Sequence, residues 1–545
     1  MGYRCNFRSV ATAVAFVGCA ALLAGCDART NVGATGTAPE EATHLWVTVE
    51  ELWFASDADT LPESETGWTR EKLSNPVVLD LANIDSGKLV SLVTNVALPS
   101  GDYRQLYLKF ADSADRLVNA ARETGLDYNA QIDVKGGSGA VTKRPLEFPV
   151  PGAGLTIPVQ LTFKDNSSSG SGTDETTNLA VTIDAARDVV TYEYGSNTGY
   201  ILSPNVSVDD ASKAGAIAGS VDTGGLAADH PPVYVSAQER SDTGTHHVVV
   251  QRRRIAADGT FELYPLPATK SGAKLYDLVI TCAAADTVIV RDVPVTAGAT
   301  PTSLQPAALA LTPARTVYAN VVPQTPALPA GTRVEFYQSP PGSDARPYVI
   351  DGTALDPLTR QLPGKAFALS AGSLFVGTYA SGNAISFAAT SPAEGTGGYL
   401  VGSSGLYRAD TLASRASDVT GGRNRPTEVT VPDPQVADGG RAGTIVVTVS
   451  AVATRYDSGF ITVMAGPEVI ETVDVGTLLE RGGGIVTIGG LPAGSALAPL
   501  AGVPYRIALR AWNTRNASGS LASFASARSV TLGDAGSGSF ALEVQ

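Results

Sequence analysis

The chain has 545 residues, 43% of them hydrophobic and only 17% charged. It is too long for one ordinary domain and apolar enough for several cores, so three to five domains are expected at roughly 100–200 residues each. The net charge of -14 repels phosphate backbones and argues against nucleic acid as a partner. Gly (57) and Pro (33) are spread along the whole chain, which predicts many short strands and tight turns in place of long helices.

Arg4 and Arg8 give a positive start, and Val10 to Leu23 form an apolar stretch of Ala, Val, Phe and Leu. That stretch is shorter than the roughly 20 residues a bilayer span needs, and it fits the apolar region of a signal peptide. It runs into Leu22-Leu23-Ala24-Gly25-Cys26. This segment resembles the bacterial lipobox. The resemblance implies a signal peptide over 1–25, recognised through Leu23, Ala24 and Gly25 and cleaved before Cys26. It also implies diacylglycerol on the Cys26 sulfur and an acyl chain on the new amine, enough lipid for stable anchoring. Removing Arg4 and Arg8 takes the mature charge to -14 - 2 = -16. Residues 26–43 are small and polar and read as a lipidated, flexible tether. The expected place is the bacterial cell envelope, on the inner or outer membrane, facing the periplasm or the surface.

The four cysteines are Cys5, Cys19, Cys26 and Cys282. Once the first two leave and Cys26 is acylated, Cys282 has no disulfide partner in the chain. It ends the run Leu278-Val279-Ile280-Thr281-Cys282, which reads as a core strand and so as a buried, inert thiol.

The first domain is expected over 44–210. Leu45, Val47 and Val49 alternate with other residues, as along a strand. An acidic loop follows, then Trp68 and the run Val77-Val78-Leu79-Asp80-Leu81. Leu98-Pro99-Ser100-Gly101-Asp102-Tyr103 is a turn feeding the period-two stretch Gln105–Phe110. A Pro-containing strand, Ile201–Val208, closes the segment. In this order of motifs the segment resembles the lipoprotein family catalogued as domain of unknown function 4382. The resemblance implies a sandwich-like envelope domain and carries no functional residues with it. Asn166–Thr173, rich in Ser and Gly, reads as a loop within it.

A second domain is expected over 214–311. Its markers are Gly219-Ser220-Val221, Asp258-Gly259-Thr260-Phe261, Leu266-Pro267 and Tyr276-Asp277-Leu278. Asp-Gly between apolar runs is a strong hairpin signal. The pattern resembles carboxypeptidase-regulatory-like, transthyretin-like modules, which implies a seven-stranded sandwich, usually a spacer or a carbohydrate-binding-like fold. The same texture continues over 312–436 and 441–545, where Leu362-Pro363 and Leu491-Pro492 repeat the Leu-Pro turn. Domains two to four therefore read as diverged repeats of one module. A helical period is visible only near Ala114–Thr124. The fold class expected is all-β: tandem sandwiches of transthyretin or immunoglobulin type behind a signal peptide and tether.

Chemistry is sparse. Of four histidines, only His246 and His247 are adjacent, and neighbours on a strand face opposite sides, so they cannot share one metal. Gly-x-Ser-x-Gly, a phosphate-binding loop, a dinucleotide fingerprint and His-Glu-x-x-His are all absent from the sequence. Asp57, Asp59 and Glu63 could hold calcium, a cation that takes oxygen ligands, although no EF-hand spacing is present. No other cofactor is expected beyond the lipid on Cys26. Trp46 and Trp53 fall on opposite faces if the strand is regular, which puts at least one in a core. Arg252 and Arg254 share one face of an edge strand and could contact an anionic glycan or lipid, with Arg253 on the other face.

The function expected is a non-catalytic envelope lipoprotein for display, binding or scaffolding, with a glycan or surface polymer as the most concrete ligand. Its partners are then the membrane, through the lipid, and a glycan or other envelope proteins. One alternative is a glycan hydrolase using two carboxylates brought together by folding. Another is a structural or assembly partner of other envelope proteins.

Overall fold

The computed structural model describes residues 27–544 apart from short internal stretches, the longest being 165–175, 357–365 and 514–522. Among the described residues there are 39 strands and two short α-helices, Asn119–Glu123 and Gly476–Glu480. The strands form pairs of facing sheets, and each pair encloses a core. The molecule is all-β, four sandwiches in a row along the chain.

In the first domain, a small sheet runs in the order Asn205–Asp210, Thr176–Asp184, Asp27–Thr37, Val90–Pro99. A larger sheet faces it, with Ala42–Ala55 and Gly101–Phe110 at its centre. Leu45, Val47, Phe54, Leu106 and Phe110 from the large sheet meet Val32, Ala34, Val181 and Ile183 from the small one. The tether expected over 26–43 is therefore corrected. Asp27–Thr37 is a strand, parallel to Thr176–Asp184 and antiparallel to Val90–Pro99. Its residues are small because they are packed. Ala28, Val32 and Ala34 are fully buried. A Cβ on Gly33 would stand 2.9 Å from Leu89 Cβ, and one on Gly36 2.7 Å from Leu81 Cδ2.

The strand Ala42–Ala55 carries a bulge between Val49 and Glu51. An extra residue reverses the parity of everything after it. Leu45, Val47 and Val49 point to the core before the bulge, and Leu52 and Phe54 do so after it. Trp46 and Trp53 thus lie on the same, outer face, which corrects the expectation of opposite faces. Trp53 is still buried, at 4% exposure. It is covered by Trp68 and Tyr107, with ring centroids 6.0 and 5.0 Å away, and by the Arg70 guanidinium 4.1 Å above its ring.

The other three domains share one topology. Their opening strands are Ala214–Asp222, Thr316–Pro323 and Arg441–Ala451. Each pairs antiparallel with a later strand (Thr260–Pro267, Phe367–Ser370, Gly483–Ala493) and parallel with a closing one. Their second strands, Tyr234–Arg240, Thr332–Gln338 and Ser458–Ala465, lie at the centre of the facing sheet between two antiparallel partners. A shared detail marks the repeat. Tyr276, Tyr399 and Tyr505 stand on the equivalent strand, and their hydroxyls donate to Pro267 O (2.5 Å), Ser370 O (2.5 Å) and Pro492 O (2.7 Å). The Leu-Pro pairs at 266–267 and 491–492, expected as turns, lie within the strands Thr260–Pro267 and Gly483–Ala493, and their prolines supply two of those carbonyls.

Two features differ from a simple row of modules. Asp258-Gly259 does form a tight turn, with Gly259 at φ 81°, but the strands it joins belong to facing sheets. It is an arch and not a hairpin. Leu374–Thr378 and Ala388–Thr390 lie within the third domain's stretch of sequence, yet they extend the second domain's sheet, parallel to Thr287–Val295. Ile385 sits in the second domain's core.

Candidate functional site

The four domains close on one another. A buried cluster containing Val150, Tyr192, Ile201, Phe460, Met464 and Trp512 joins the first to the fourth. Within it Arg510 pairs with Glu147 and donates to Tyr192 Oη at 3.0 Å and Phe148 O at 3.2 Å. Second and third domains meet through Gln238, whose amide donates to Val349 O (2.7 Å) and accepts from Val349 N (3.0 Å). That side chain mimics a neighbouring strand. His247 lies beside it, stacked on Tyr348 at 4.0 Å and 3.2 Å from the Asp277 carboxylate. Burial alone would raise Asp277, but hydrogen bonds from His247 and Tyr348 hold it below the usual carboxylate range. His246 faces the other way, against Tyr337. The third domain touches the fourth through Gly331 N to Ile470 O at 3.0 Å. Arg253 of the second donates to Thr35 of the first at 2.6 Å.

This cycle of contacts leaves a cleft of about 1740 Å³ at its centre, lined by residues of all four domains. One wall is the edge strand His247–Arg254. The alternation expected along it holds: Arg253 is 5% exposed and turned to the first domain, while Arg252 is half-buried and Arg254 exposed. Arg252 reaches Asp351 of the third domain at 3.3 Å and lies 4.4 Å from the Tyr234 ring.

The cleft also contains a junction that sequence reasoning missed. Arg333 Nη2 lies 3.2 Å from Asp188 Oδ2 and 2.7 Å from Glu468 Oε1. One arginine thus ties the third domain to the first and the fourth. One guanidinium faces two carboxylates, Asp188 buried and Glu468 half-buried. Burial pushes Asp188 up to about 6, with Glu468 and Asp184 adding to the rise and Arg333 opposing it. Arg333 itself is held above its ordinary range by the two acids, against its burial. The three residues are 145 and 135 positions apart, so no local pattern brings them together. The local sequence gives no sign, since Arg333 and Glu335 alternate with Val334 and Phe336 as on any half-exposed strand.

Other expected site residues fall elsewhere. Leu23, Ala24, Gly25 and Cys26 lie outside the described residues, as do Asp59 and Glu63. Asp57 is exposed, and its carbonyl accepts from Thr60 at 3.4 Å. Among the described residues no three metal-ligating side chains gather, and no helix is long and apolar enough to cross a membrane. Cys282 is 4% exposed, and burial raises its thiol.

With the geometry in place, comparison with known proteins adds one firm result. The family model described as Domain of unknown function (DUF4382) matches residues 31–204. The first domain is therefore similar to that family, and the match begins inside the strand once read as tether. No curated protein matches the chain in sequence. Among solved structures, the Bacillus anthracis TIE protein is 9% identical over 95% of this chain and 73% of its own, with a TM-score of 0.15. A streptococcal ancillary pilin is 10% identical over 61% of this chain and 99% of its own, at 0.13. The pilus adhesin SpaC from Lactobacillus rhamnosus GG is 10% identical over 91% and 51%, also at 0.13. With TM-scores this low, none of the three bears on what this chain does.

Proposed function

We propose that the chain is a non-catalytic envelope lipoprotein that binds or scaffolds, with a glycan or surface polymer held in the cleft between its domains. The observation that carries this reading is the cleft itself. It is large enough for an extended ligand, and planar polar side chains of both signs line it, among them Arg252, Arg254, Asp351 and Glu335. Such groups fix a polyhydroxylated ligand by paired hydrogen bonds. A glycan array probed with the full chain tests it, followed by Arg254→Glu and Asp351→Arg. Capture that falls about tenfold in either variant supports the reading. Capture unchanged in both, or none at all, overturns it.

Export and lipid anchoring at Cys26 belong to the same proposal. Cys26→Ala should abolish detergent partitioning and leave the precursor uncleaved, as read by mass spectrometry. A variant that still carries the mass of three acyl chains contradicts the anchor.

A second reading, a carboxylate-dependent glycan hydrolase, draws support from one observation. Asp188 and Glu468 both contact one Arg333 nitrogen, so their oxygens are at most 3.2 + 2.7 = 5.9 Å apart. Asp188 is also raised to about 6, as a general acid would be. Both are nevertheless engaged by Arg333, which favours a structural role. Release of reducing sugar that is lost in Glu468→Gln would decide for the enzyme.

A further inference from the structure

A second built feature lies where the first and second domains meet. The small sheet of the first domain sets Thr35 beside Thr182 and Thr37 beside Asp184. The next pairing sets Thr182 beside Ser207 and Asp184 beside Asn205. Side chains alternate along a strand, so these six residues share one face. The opposite face, with Val32, Ala34, Val181 and Ile183, belongs to the core. The polar face is covered where the second domain's edge strand crosses it: Thr35 is 0% exposed and Arg253 5%.

Between the face and that strand is a pocket of about 90 Å³ lined by Thr182, Asp184, Asn205, Ser207, Arg252 and Arg253, among others. It opens off the large cleft, which shares all of its lining residues except Thr182 and Ser207. Its volume suits a group the size of a few water molecules. Unengaged donors remain there: the Arg253 Nε–H, and the Thr182 hydroxyl and Asn205 amide, which can also accept. Arg253 Nε is buried with no hydrogen-bond partner. Among the described residues, the side chains of Thr182 and Asn205 make no hydrogen bond. The one carboxylate in the lining, Asp184, accepts from the Thr37 hydroxyl and the Ala186 N–H on Oδ1 alone, and its charge acts on Arg253. Asp351 takes Arg252, and Glu262 is the other acid whose field reaches Arg253. Burial depresses the Arg253 guanidinium, with Asp184 and Glu262 acting against that. A buried N–H left without an acceptor is costly, and a charged acceptor satisfies it best.

We propose that this pocket is an oxyanion subsite, taking one carboxylate, sulfate or phosphate group on Arg253, Arg252, Thr182 and Asn205. The proposal rests on the binding reading only for the source of that group, which would be a charged substituent on the ligand in the cleft.

The test is isothermal titration of the full chain with inorganic sulfate, with thermal unfolding in sulfate against chloride at matched ionic strength. Wild type should bind saturably and gain Tm with sulfate, because a ligand of the native state stabilises it. Thr182→Val with Asn205→Ala should lose about tenfold in affinity, as should Arg253→Gln. Arg528→Gln, exposed and outside both the pocket and the cleft, should bind as wild type. The Thr182 and Asn205 changes leave the Arg253–Thr35 contact alone, so they answer even if Arg253→Gln fails to fold. No saturable binding, or equal binding in wild type and the Thr182/Asn205 variant (an adventitious ion only), overturns the subsite. A hexuronate oligosaccharide separates the two sources. If it displaces sulfate, the subsite reads an anionic glycan. If it does not, the subsite stands as a free-ion site and the glycan reading of the cleft fails.

Discussion

Arg333 carries one positive charge between two carboxylates, and the three share a water-poor junction. Burial is the main reason that Asp188 rises from an ordinary 3.8 to about 6, with the Glu468 and Asp184 charges adding to it against Arg333. The sign of the consequence follows. Between those two pH values the folded chain holds a proton that the unfolded chain has lost. This carboxyl therefore favours folding below about pH 4, and its contribution falls as pH rises toward 6, by up to about 1.4 kcal/mol per unit. Asp188→Asn should remove that slope and be no less stable than wild type above pH 6. Urea denaturation between pH 4 and 7 checks it, and parallel profiles for the two proteins would contradict it. Arg333→Met is the opposite case. It leaves the buried Asp188 and the half-buried Glu468 without their cation and should cost about 3 kcal/mol at pH 7, read in the same denaturation experiment.

At the level of single elements, the strand Asp27–Thr37 and the three repeated tyrosines invite direct tests. Val32→Asp places a charge in the core and should cost at least about 3 kcal/mol in the first domain's unfolding. A flexible tether would tolerate it without change. Tyr276→Phe, Tyr399→Phe and Tyr505→Phe each remove one equivalent hydrogen bond and should each cost about 1 kcal/mol. Unequal losses, with one site silent, would show that the device is not shared. Strands with large apolar residues in alternation, such as Leu45-Val47-Val49 or Leu106-Leu108-Phe110, were legible in the sequence. Asp27–Thr37 was not, because Ala, Gly and Thr look alike in a linker and in a close-packed strand. The Trp46 and Trp53 parity failed because a bulge leaves no mark of its own in composition. The Asp-Gly turn was correctly located, but a turn motif does not say which sheet each of its strands will join.

For the whole molecule, the decisive contacts join residues far apart in the chain: Arg510 with Phe148, 362 positions away, and Arg333 with Glu468, 135 away. Local pattern reading sees four modules and cannot see how they close, so the cleft and the junction at Arg333 were out of its reach. Arg252–Arg254 were legible as a basic edge strand, while the walls facing them were not. The closed arrangement is the premise of both functional proposals, since a chain of independent sandwiches would have no cleft to fill. Small-angle X-ray scattering of residues 27–545 tests it most directly. A closed set of four domains predicts a radius of gyration on the order of 25 Å, the value for a compact chain of this length, with a distance distribution of one maximum. A radius nearer twice that, with the long tail of an extended row of modules, would contradict the closure and the cleft with it.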